Sequence, residues 1–197
     1  QYYNALRINL RAHRHNYFYS TTSFNSEIPL PYFSFDEYGS KIQGKAVDYS
    51  EAIKGGVFIA RNCQSRNNRE ALVQSLINSN FRVDSVSKCL HNAEVSGGVT
   101  EKKDIMSRYL FYLAFENQCE NDYITEKLWQ TLESGTVPIY YGAPNIEDHV
   151  PPNSIINANA FNTTEALANY LTTLVNNQTL YESYHAWRSK PLPESFL

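Results

Sequence analysis

One seven-residue run, "YLFYLAF" from Tyr109 to Phe115, most constrains what this chain can fold into. The run is continuously apolar and has the length of a strand, a pattern typical of strands covered on both faces. Short apolar runs of this kind alternate with amphipathic helical segments from residue 57 to about residue 176. This alternation predicts an α/β domain in which a parallel sheet carries helices on both faces.

Further strands and helices are predicted along the rest of the chain. Four short apolar runs predict strands, at residues 57–60, 82–86, 136–141 and 154–158. Helical spacing of apolar residues predicts helices at residues 68–79, 123–134, 163–177 and 179–189. Gly135 is expected to end the second helix, and Thr163 or Thr164 to cap the third. Residues 1–56 break the pattern and are expected to be irregular apart from one basic helix.

Composition and charge exclude several classes of protein. Hydrophobic residues make up 42% and aromatic residues 14% of the chain, which is typical of a globular protein. The net charge of −3 gives no electrostatic case for a nucleic acid partner. The basic stretch from Arg7 to His15 is interpreted as a solvated helix face, with contact to an acceptor or a membrane surface as the alternative. No apolar run is long enough to span a bilayer, and the opening residues resemble the middle of a helix, so we expect a longer parent protein.

The cysteines and sequons bear on the cellular compartment. Cys63, Cys89 and Cys119 match no zinc-binding or redox-motif spacing. A Cys63–Cys89 disulfide is one alternative in an oxidising compartment, and buried free thiols are the other. Asn162 and Asn177 begin N-x-Thr sequons and are candidate N-glycosylation sites, which points weakly to the secretory pathway.

A polar segment joins the 109–115 run to the next predicted helix. Tyr123, Glu126 and Lys127 stand at i, i+3 and i+4, so their side chains can converge on one helix face. Asp122 is expected to cap this helix. Open parallel sheets bind ligands at the carboxyl ends of their strands, and helix N-termini favour anions. The junction is therefore predicted to bind a ligand with hydroxyl and phosphate groups, with an exposed Glu–Lys surface pair as the alternative.

A second basic cluster follows the strand predicted at residues 57–60. Arg61, Arg66 and Arg69 are candidates for a diphosphate clamp, since guanidinium groups match phosphate geometry, and surface arginines are the alternative. The sequence contains no dinucleotide-binding or P-loop fingerprint and no Asp-x-Asp pair. The five histidines are dispersed, so no bound metal is predicted.

Two long stretches, "AFENQCENDYITEKLW" and "SGTVPIYYGAPNIEDHVPPNSII", carry a family resemblance. They resemble the signature of the α1,3-fucosyltransferases, and "TTSFNSEIPLPYFSF" and "FIARNCQSRNNREALVQSL" are also similar to that family. The segment "PNIED", residues 144–148, is most similar to the core-type enzymes of plants, which act on N-glycans, and to their close relatives. Thr22 and Ser23 stand where Lewis-type members carry a Tyr-Arg pair, which argues against a Lewis-type acceptor.

The resemblance implies a GT-B glycosyltransferase, in which two Rossmann-like domains face a cleft and the C-terminal one binds GDP-fucose. Residues 1–50 would be the end of the acceptor domain, residues 51–176 the donor domain, and residues 177–197 a C-terminal helix and tail. The implied reaction is metal-free, inverting transfer of L-fucose in α1,3 linkage to a GlcNAc of a glycoprotein glycan. The implied location is the Golgi membrane, as a type II protein whose anchor is expected only in the full-length protein.

The resemblance also implies roles for five residues. Arg69 falls on the arginine that contacts the donor diphosphate, and with Lys127 it would stabilise the GDP leaving group. Glu126 would hold the ribose hydroxyls, while Asn117 and Tyr123 would orient the donor.

The general base of the family is implied to lie just upstream of Gln1, and neither Glu27 nor Asp36 is marked as a substitute. This chain alone is therefore expected to bind the donor but to transfer fucose poorly. Two alternatives remain open. One is a non-catalytic nucleotide-sugar or glycan-binding module, and the other is a protein O-fucosyltransferase of a related branch.

Overall fold

The computed structural model describes residue 18 and residues 20–192, so the basic stretch Arg7–His15 lies outside the described residues. The strands are β1 (Ser20–Thr21), β2 (Ile28–Pro29), β3 (Ile53–Phe58), β4 (Val83–Ser85), β5 (Tyr109–Phe115), β6 (Val137–Tyr141) and β7 (Ile156–Asn157). The α-helices are α1 (Arg69–Asn78), α2 (Lys102–Met106), α3 (Glu126–Ser134), α4 (Thr164–Val175) and α5 (Gln178–Glu182). Short 3₁₀ segments cover Gly39–Gln43, Ser96–Gly98, Ile146–Asp148, Ala158–Ala160 and Ser183–Ser189.

The sheet has five strands in the order β4-β3-β5-β6-β7, and every neighbouring pair is parallel. All seven residues of the central strand β5 are buried. Successive side chains of a strand point to opposite faces, so Phe111 and Leu113 enter one core cluster while Tyr112 and Ala114 enter the other. Helices α1 and α4 cover the first face and α2 and α3 cover the second, which confirms the predicted α/β fold.

Burial of the helix faces stabilises this arrangement. Leu128 and Leu132 of α3 are fully buried against the second face, and Leu171 and Leu174 of α4 are fully buried against the first. Each such side chain contributes roughly 1.5–3 kcal/mol of hydrophobic free energy. None of the helices in the described part of the chain is long and apolar enough to cross a membrane.

The start of α3 differs from the prediction. Thr125, not Asp122, is the N-cap, and its side-chain oxygen accepts a hydrogen bond from the Lys127 backbone N–H. The Asp122 carboxylate is used elsewhere: it accepts hydrogen bonds from the Ser23 hydroxyl at 3.0 Å and from the Asn145 amide at 2.8 Å. Asp122 therefore connects the segment around Ser23 with the loop after β6. Tyr123 lies in the loop before α3.

The C-terminal helix and α2 also differ from the prediction. The segment predicted as one helix over residues 179–189 is the short helix α5 followed by a 3₁₀ turn. That turn places the Arg188 guanidinium against the carbonyl oxygens of Ile42 and Leu132. The helix α2 was not predicted, because five residues are too few to show a helical repeat of apolar positions.

The end of α3 at Gly135 is as predicted, and it supplies a stability test. Gly135 has φ of +80°, and a Cβ added there would lie 2.3 Å from the carbonyl oxygen of Lys45. Gly135→Ala is expected to lower the free energy of unfolding by roughly 3 kcal/mol, from left-handed strain plus a backbone clash. Urea denaturation measures this loss.

Gly98→Ala is the matched control for that substitution. Gly98 also has a positive φ, of +68°, but no heavy atom lies within 4 Å of its added Cβ. This control carries the strain without the clash, so it should lose only about 1–2 kcal/mol. Equal losses in the two variants would contradict the close approach of Gly135 to the Lys45 segment.

Candidate functional site

A cavity of about 280 Å³ opens beside the carboxyl ends of β3 and β5. Its polar lining comes from the loop after β3, from α1 and α2, from the segment after β5 and from the first turn of α3: Arg61, Asn62, Arg69, Lys102, Asn117, Glu126 and Lys127. Parallel sheets bind ligands at this edge. The structure thus brings together most of the residues predicted from the sequence and adds Asn62 and Lys102.

An ion pair with a buried carboxylate holds Lys127 in the wall of the cavity. Glu116 is fully buried at the end of β5 and accepts hydrogen bonds from the Thr125 backbone N–H at 2.7 Å and the Thr125 hydroxyl at 2.8 Å. The Lys127 ammonium donates to the same carboxylate at 3.0 Å. Burial raises the pKa of the Glu116 carboxyl, and the Lys127 charge and these hydrogen bonds oppose that shift. The pair fixes the Lys127 ammonium at the cavity, where 20% of its side chain remains exposed.

Arg69 lies in the wall with only 3% of its surface exposed. Its guanidinium donates to the Phe115 carbonyl at 2.7 Å, the Asn62 carbonyl at 3.1 Å and the Glu70 carboxylate at 3.3 Å. These contacts join the end of β5 to the loop after β3. A guanidinium has five N–H donors, so one donor on each terminal nitrogen is left for a ligand.

Tyr123, predicted as a site residue, does not itself line the cavity and is connected to it through Asn117. Because it precedes α3, it does not share a helix face with Glu126 and Lys127. Instead its hydroxyl donates to the Asn117 side-chain oxygen at 2.9 Å. Burial, with the nearby Glu116 carboxylate, raises the pKa of Tyr123 to about 12, so its hydroxyl remains a donor at neutral pH.

Glu126 is the ionised acceptor of the cavity, with 40% of its side chain exposed. Burial alone would raise the pKa of Glu126, but the positive charges of Lys127 and Lys102 lower it overall. A carboxylate in this position can accept hydrogen bonds from ligand hydroxyls. Arg66, predicted as a third clamp residue, is exposed and does not line the cavity; its backbone N–H donates to the Asn117 carbonyl at 2.9 Å.

Glu116 is the functional residue that the sequence interpretation missed. It stands directly after a seven-residue buried strand, and a carboxylate at that point was the available signal.

No group of three or more metal-ligating side chains is present among the described residues. Asn162 and Asn177 are both exposed, and the Asn177 side chain caps α5 by accepting from the Leu180 N–H at 3.0 Å.

A disulfide joins the loop that carries Arg61 and Asn62 to the segment after β4. Cys63 and Cys89 are bonded with their Cα atoms 5.2 Å apart, and Cys119 is free and exposed. The bond closes a loop with a sequence separation of 26 residues. Cys63→Ser/Cys89→Ser is expected to lower the free energy of unfolding by roughly 3 kcal/mol, because the unfolded chain regains loop entropy.

Chemical denaturation under non-reducing conditions measures this loss. Cys119→Ser is the control, and it should leave the denaturation midpoint close to that of the wild type. A double variant as stable as this control would show that the disulfide does not stabilise the loop.

The sequence matches the family described as glycosyltransferase family 10 (fucosyltransferase), C-terminal region, over residues 50–195. The chain belongs to this family. It is 35% identical over 179 residues to a fucosyltransferase-like protein of Arabidopsis thaliana, covering 89% of this chain and 33% of that protein. It is 39% identical over 140 residues to GDP-fucose protein O-fucosyltransferase 3 of Xenopus laevis, covering 66% of this chain and 30% of that protein. The family 10 chain thus spans about a third of the length of these curated relatives.

Solved structures with the same fold include a crystal structure of α1,3-fucosyltransferase with GDP-fucose. The match has a TM-score of 0.60 at 22% identity and covers 89% of this chain and 54% of that chain. A second crystal structure, of α1,3-fucosyltransferase with GDP, matches with a TM-score of 0.61 at 22% identity, over 87% of this chain and 51% of that chain. The α/β fold of this family 10 chain is therefore that of a Rossmann-like half of a GT-B glycosyltransferase.

Proposed function

We propose that this chain is the donor-binding part of an inverting fucosyltransferase and that its cavity holds GDP-fucose. The observation that carries the proposal is the convergence of four cationic side chains and one ionised carboxylate at the carboxyl edge of β3 and β5. A sugar nucleotide has a diphosphate for the cations and ribose hydroxyls for the carboxylate. The proposed donor domain comprises residues 51–176, followed by a C-terminal helix and tail.

Positively charged side chains of the cavity would stabilise GDP as it leaves. When the bond between fucose and the β-phosphate breaks, its electron pair goes to the phosphate oxygen. The Lys127 ammonium, held in place by Glu116, and the two remaining donors of Arg69 would stabilise that charge. Glu126 would accept hydrogen bonds from the ribose hydroxyls, and Tyr123 with Asn117 would orient the donor.

The acceptor has to lose a proton as its oxygen attacks the anomeric carbon from the face opposite GDP. We propose that the base for this step belongs to the acceptor domain of the whole protein. The transferase would then need no bound metal, because lysine and arginine neutralise the leaving group. A non-catalytic nucleotide-sugar-binding module would keep the cavity and lack the base.

Two candidate acceptors of the fucose are supported by different observations. Resemblance to core-type enzymes favours α1,3 linkage to a GlcNAc of an N-glycan. The 36% identity over 143 residues to human GDP-fucose protein O-fucosyltransferase 3 favours a hydroxyl of a protein. We propose the GlcNAc of a glycoprotein glycan as the leading acceptor and a hydroxyl of a protein as the second candidate.

One transfer experiment separates these possibilities. The full-length protein is incubated with GDP-fucose and either a GlcNAc-bearing N-glycopeptide or an unglycosylated secreted domain, and the products are analysed by mass spectrometry. A deoxyhexose that leaves with the enzymatically released glycan supports the leading acceptor. A deoxyhexose retained on serine or threonine supports the second, and donor binding without transfer to either supports the binding module.

We also propose that the protein works in the lumen of the Golgi apparatus, as a type II membrane protein anchored outside this chain. The Cys63–Cys89 disulfide and the two exposed sequons fit an oxidising secretory compartment. Microscopy of the tagged full-length protein against a Golgi marker tests this location, and a cytosolic signal would contradict it.

A further inference from the structure

The cations of the cavity differ in how their charge is balanced. The Lys127 ammonium is paired with the Glu116 carboxylate at 3.0 Å, and the Arg69 guanidinium with the Glu70 carboxylate at 3.3 Å. Arg61 is exposed, so water solvates its guanidinium. The fourth cation, Lys102, has neither arrangement.

Lys102 begins helix α2 and is partly buried between α3 and the sheet. Its ammonium donates to the neutral amide oxygen of Gln130 at 3.0 Å and lies 5.4 Å from the centre of the Tyr112 ring. No carboxylate of a described residue forms an ion pair with it. Only neutral groups contact the ammonium directly, while the Glu126 and Glu116 carboxylates act on it at longer range. A partly buried ammonium without a counter-charge in direct contact carries a desolvation cost that an anionic ligand can offset.

The position of Lys102 places this charge beside the proposed ligand. Lys102 lines the same cavity as Glu126 and Lys127, and the charges of both lysines act on the Glu126 carboxylate. Two ammonium groups therefore flank one carboxylate in the cavity. A ligand whose hydroxyl groups bind Glu126 would hold its phosphate groups near both Lys102 and Lys127, whose positive charges attract them.

We propose that Lys102 is a phosphate-binding residue of the nucleotide site, the cation whose charge the bound diphosphate balances. The inference rests on the proposed function and deepens it by adding a residue from a helix outside both clusters predicted from the sequence. The Gln130 amide and the Tyr112 ring hold the ammonium at the cavity wall, where a phosphate group could reach it.

The test compares Lys102→Met with the matched control Lys103→Met. Lys103 is the next residue of the same helix, but 51% of its side chain is exposed and its ammonium pairs with Glu133 at 2.9 Å. GDP is titrated calorimetrically into the wild type and both variants. Binding of guanosine, which lacks phosphate, is followed by ligand-observed NMR.

We expect Lys102→Met to weaken GDP binding roughly tenfold or more and to leave guanosine binding unchanged. Lys103→Met should bind both ligands as the wild type does. Wild-type affinity for GDP in Lys102→Met would overturn the inference and leave the proposed function standing. Equal weakening of GDP and guanosine would also overturn it, since Lys102 would then act only through the fold. A wild type that binds no GDP would overturn the proposed function itself, and this inference with it.

Discussion

Lys127→Met is expected to weaken the binding of GDP to this chain by roughly 100-fold, about 3 kcal/mol. Two losses add to this effect. The diphosphate loses a charge-assisted hydrogen bond, and the Glu116 carboxylate, which Lys127 approaches at 3.0 Å, is left without its counter-charge beside the cavity. An unpaired carboxylate there repels an anionic ligand. Calorimetric titration of GDP into wild type and variant measures the change.

A second variant separates binding from folding in this prediction. Lys127→Met/Glu116→Gln removes both charges and keeps an amide oxygen to accept from Thr125. This double variant should recover much of the stability of the wild type and still bind GDP weakly. Recovery of wild-type affinity in the double variant would mean that Lys127 acts by neutralising Glu116 and does not contact the ligand.

The largest loss of stability is expected from Glu116→Leu. This side chain is fully buried and holds the Thr125 N–H, the Thr125 hydroxyl and the Lys127 ammonium. Removing one partner of a buried ion pair costs about 3–5 kcal/mol, because the mostly buried Lys127 ammonium and the Thr125 donors lose their shared acceptor. Urea denaturation followed by circular dichroism should show this fall in the free energy of unfolding.

Two control variants define the cause of that loss. Glu120→Leu changes an exposed carboxylate in the adjoining loop and should alter the stability by less than about 0.5 kcal/mol. Glu116→Gln keeps the acceptor for Thr125 and should lose less than Glu116→Leu. If all three variants were equally stable, Glu116 could not be the residue that fixes the start of α3.

The sheet and its main helices could be predicted because each leaves a local pattern. The seven apolar residues of β5 identify a strand covered on both faces, and the spacing of Leu128 and Leu132 identifies the buried side of α3. Gly135 identifies the end of that helix. These signals lie within one element and need no knowledge of its neighbours.

Features that depend on distant residues could not be predicted in this way. Asp122 has the composition of a helix cap, but Ser23, 99 residues earlier in the chain, binds its carboxylate. Glu116 becomes buried only when Thr125 and Lys127 fold over it. Local sequence does not show such partners, so the place of Glu116 directly after a buried strand signals a position at the sheet edge and not its burial.

The candidate site was predicted in part. Arg69, Asn117, Glu126 and Lys127 were all identified before the fold was known, and all four line one cavity. Lys102 was not identified, because α2 is too short to show a helical pattern. Its position at the cavity becomes visible only in the packed structure, where its ammonium is partly buried and contacts the neutral Gln130 amide.

The central claim is that a nucleoside diphosphate binds in the cavity beside β3 and β5. The most direct test is an NMR titration of the ¹⁵N-labelled chain with GDP, in buffer containing EDTA, following each backbone amide. We expect the largest chemical-shift changes at the backbone amides of Arg61, Asn62, Asn117, Glu126 and Lys127. A folded chain with no shifts would contradict this prediction, as would shifts centred on another cavity, of about 270 Å³, beside Asp148 and His149.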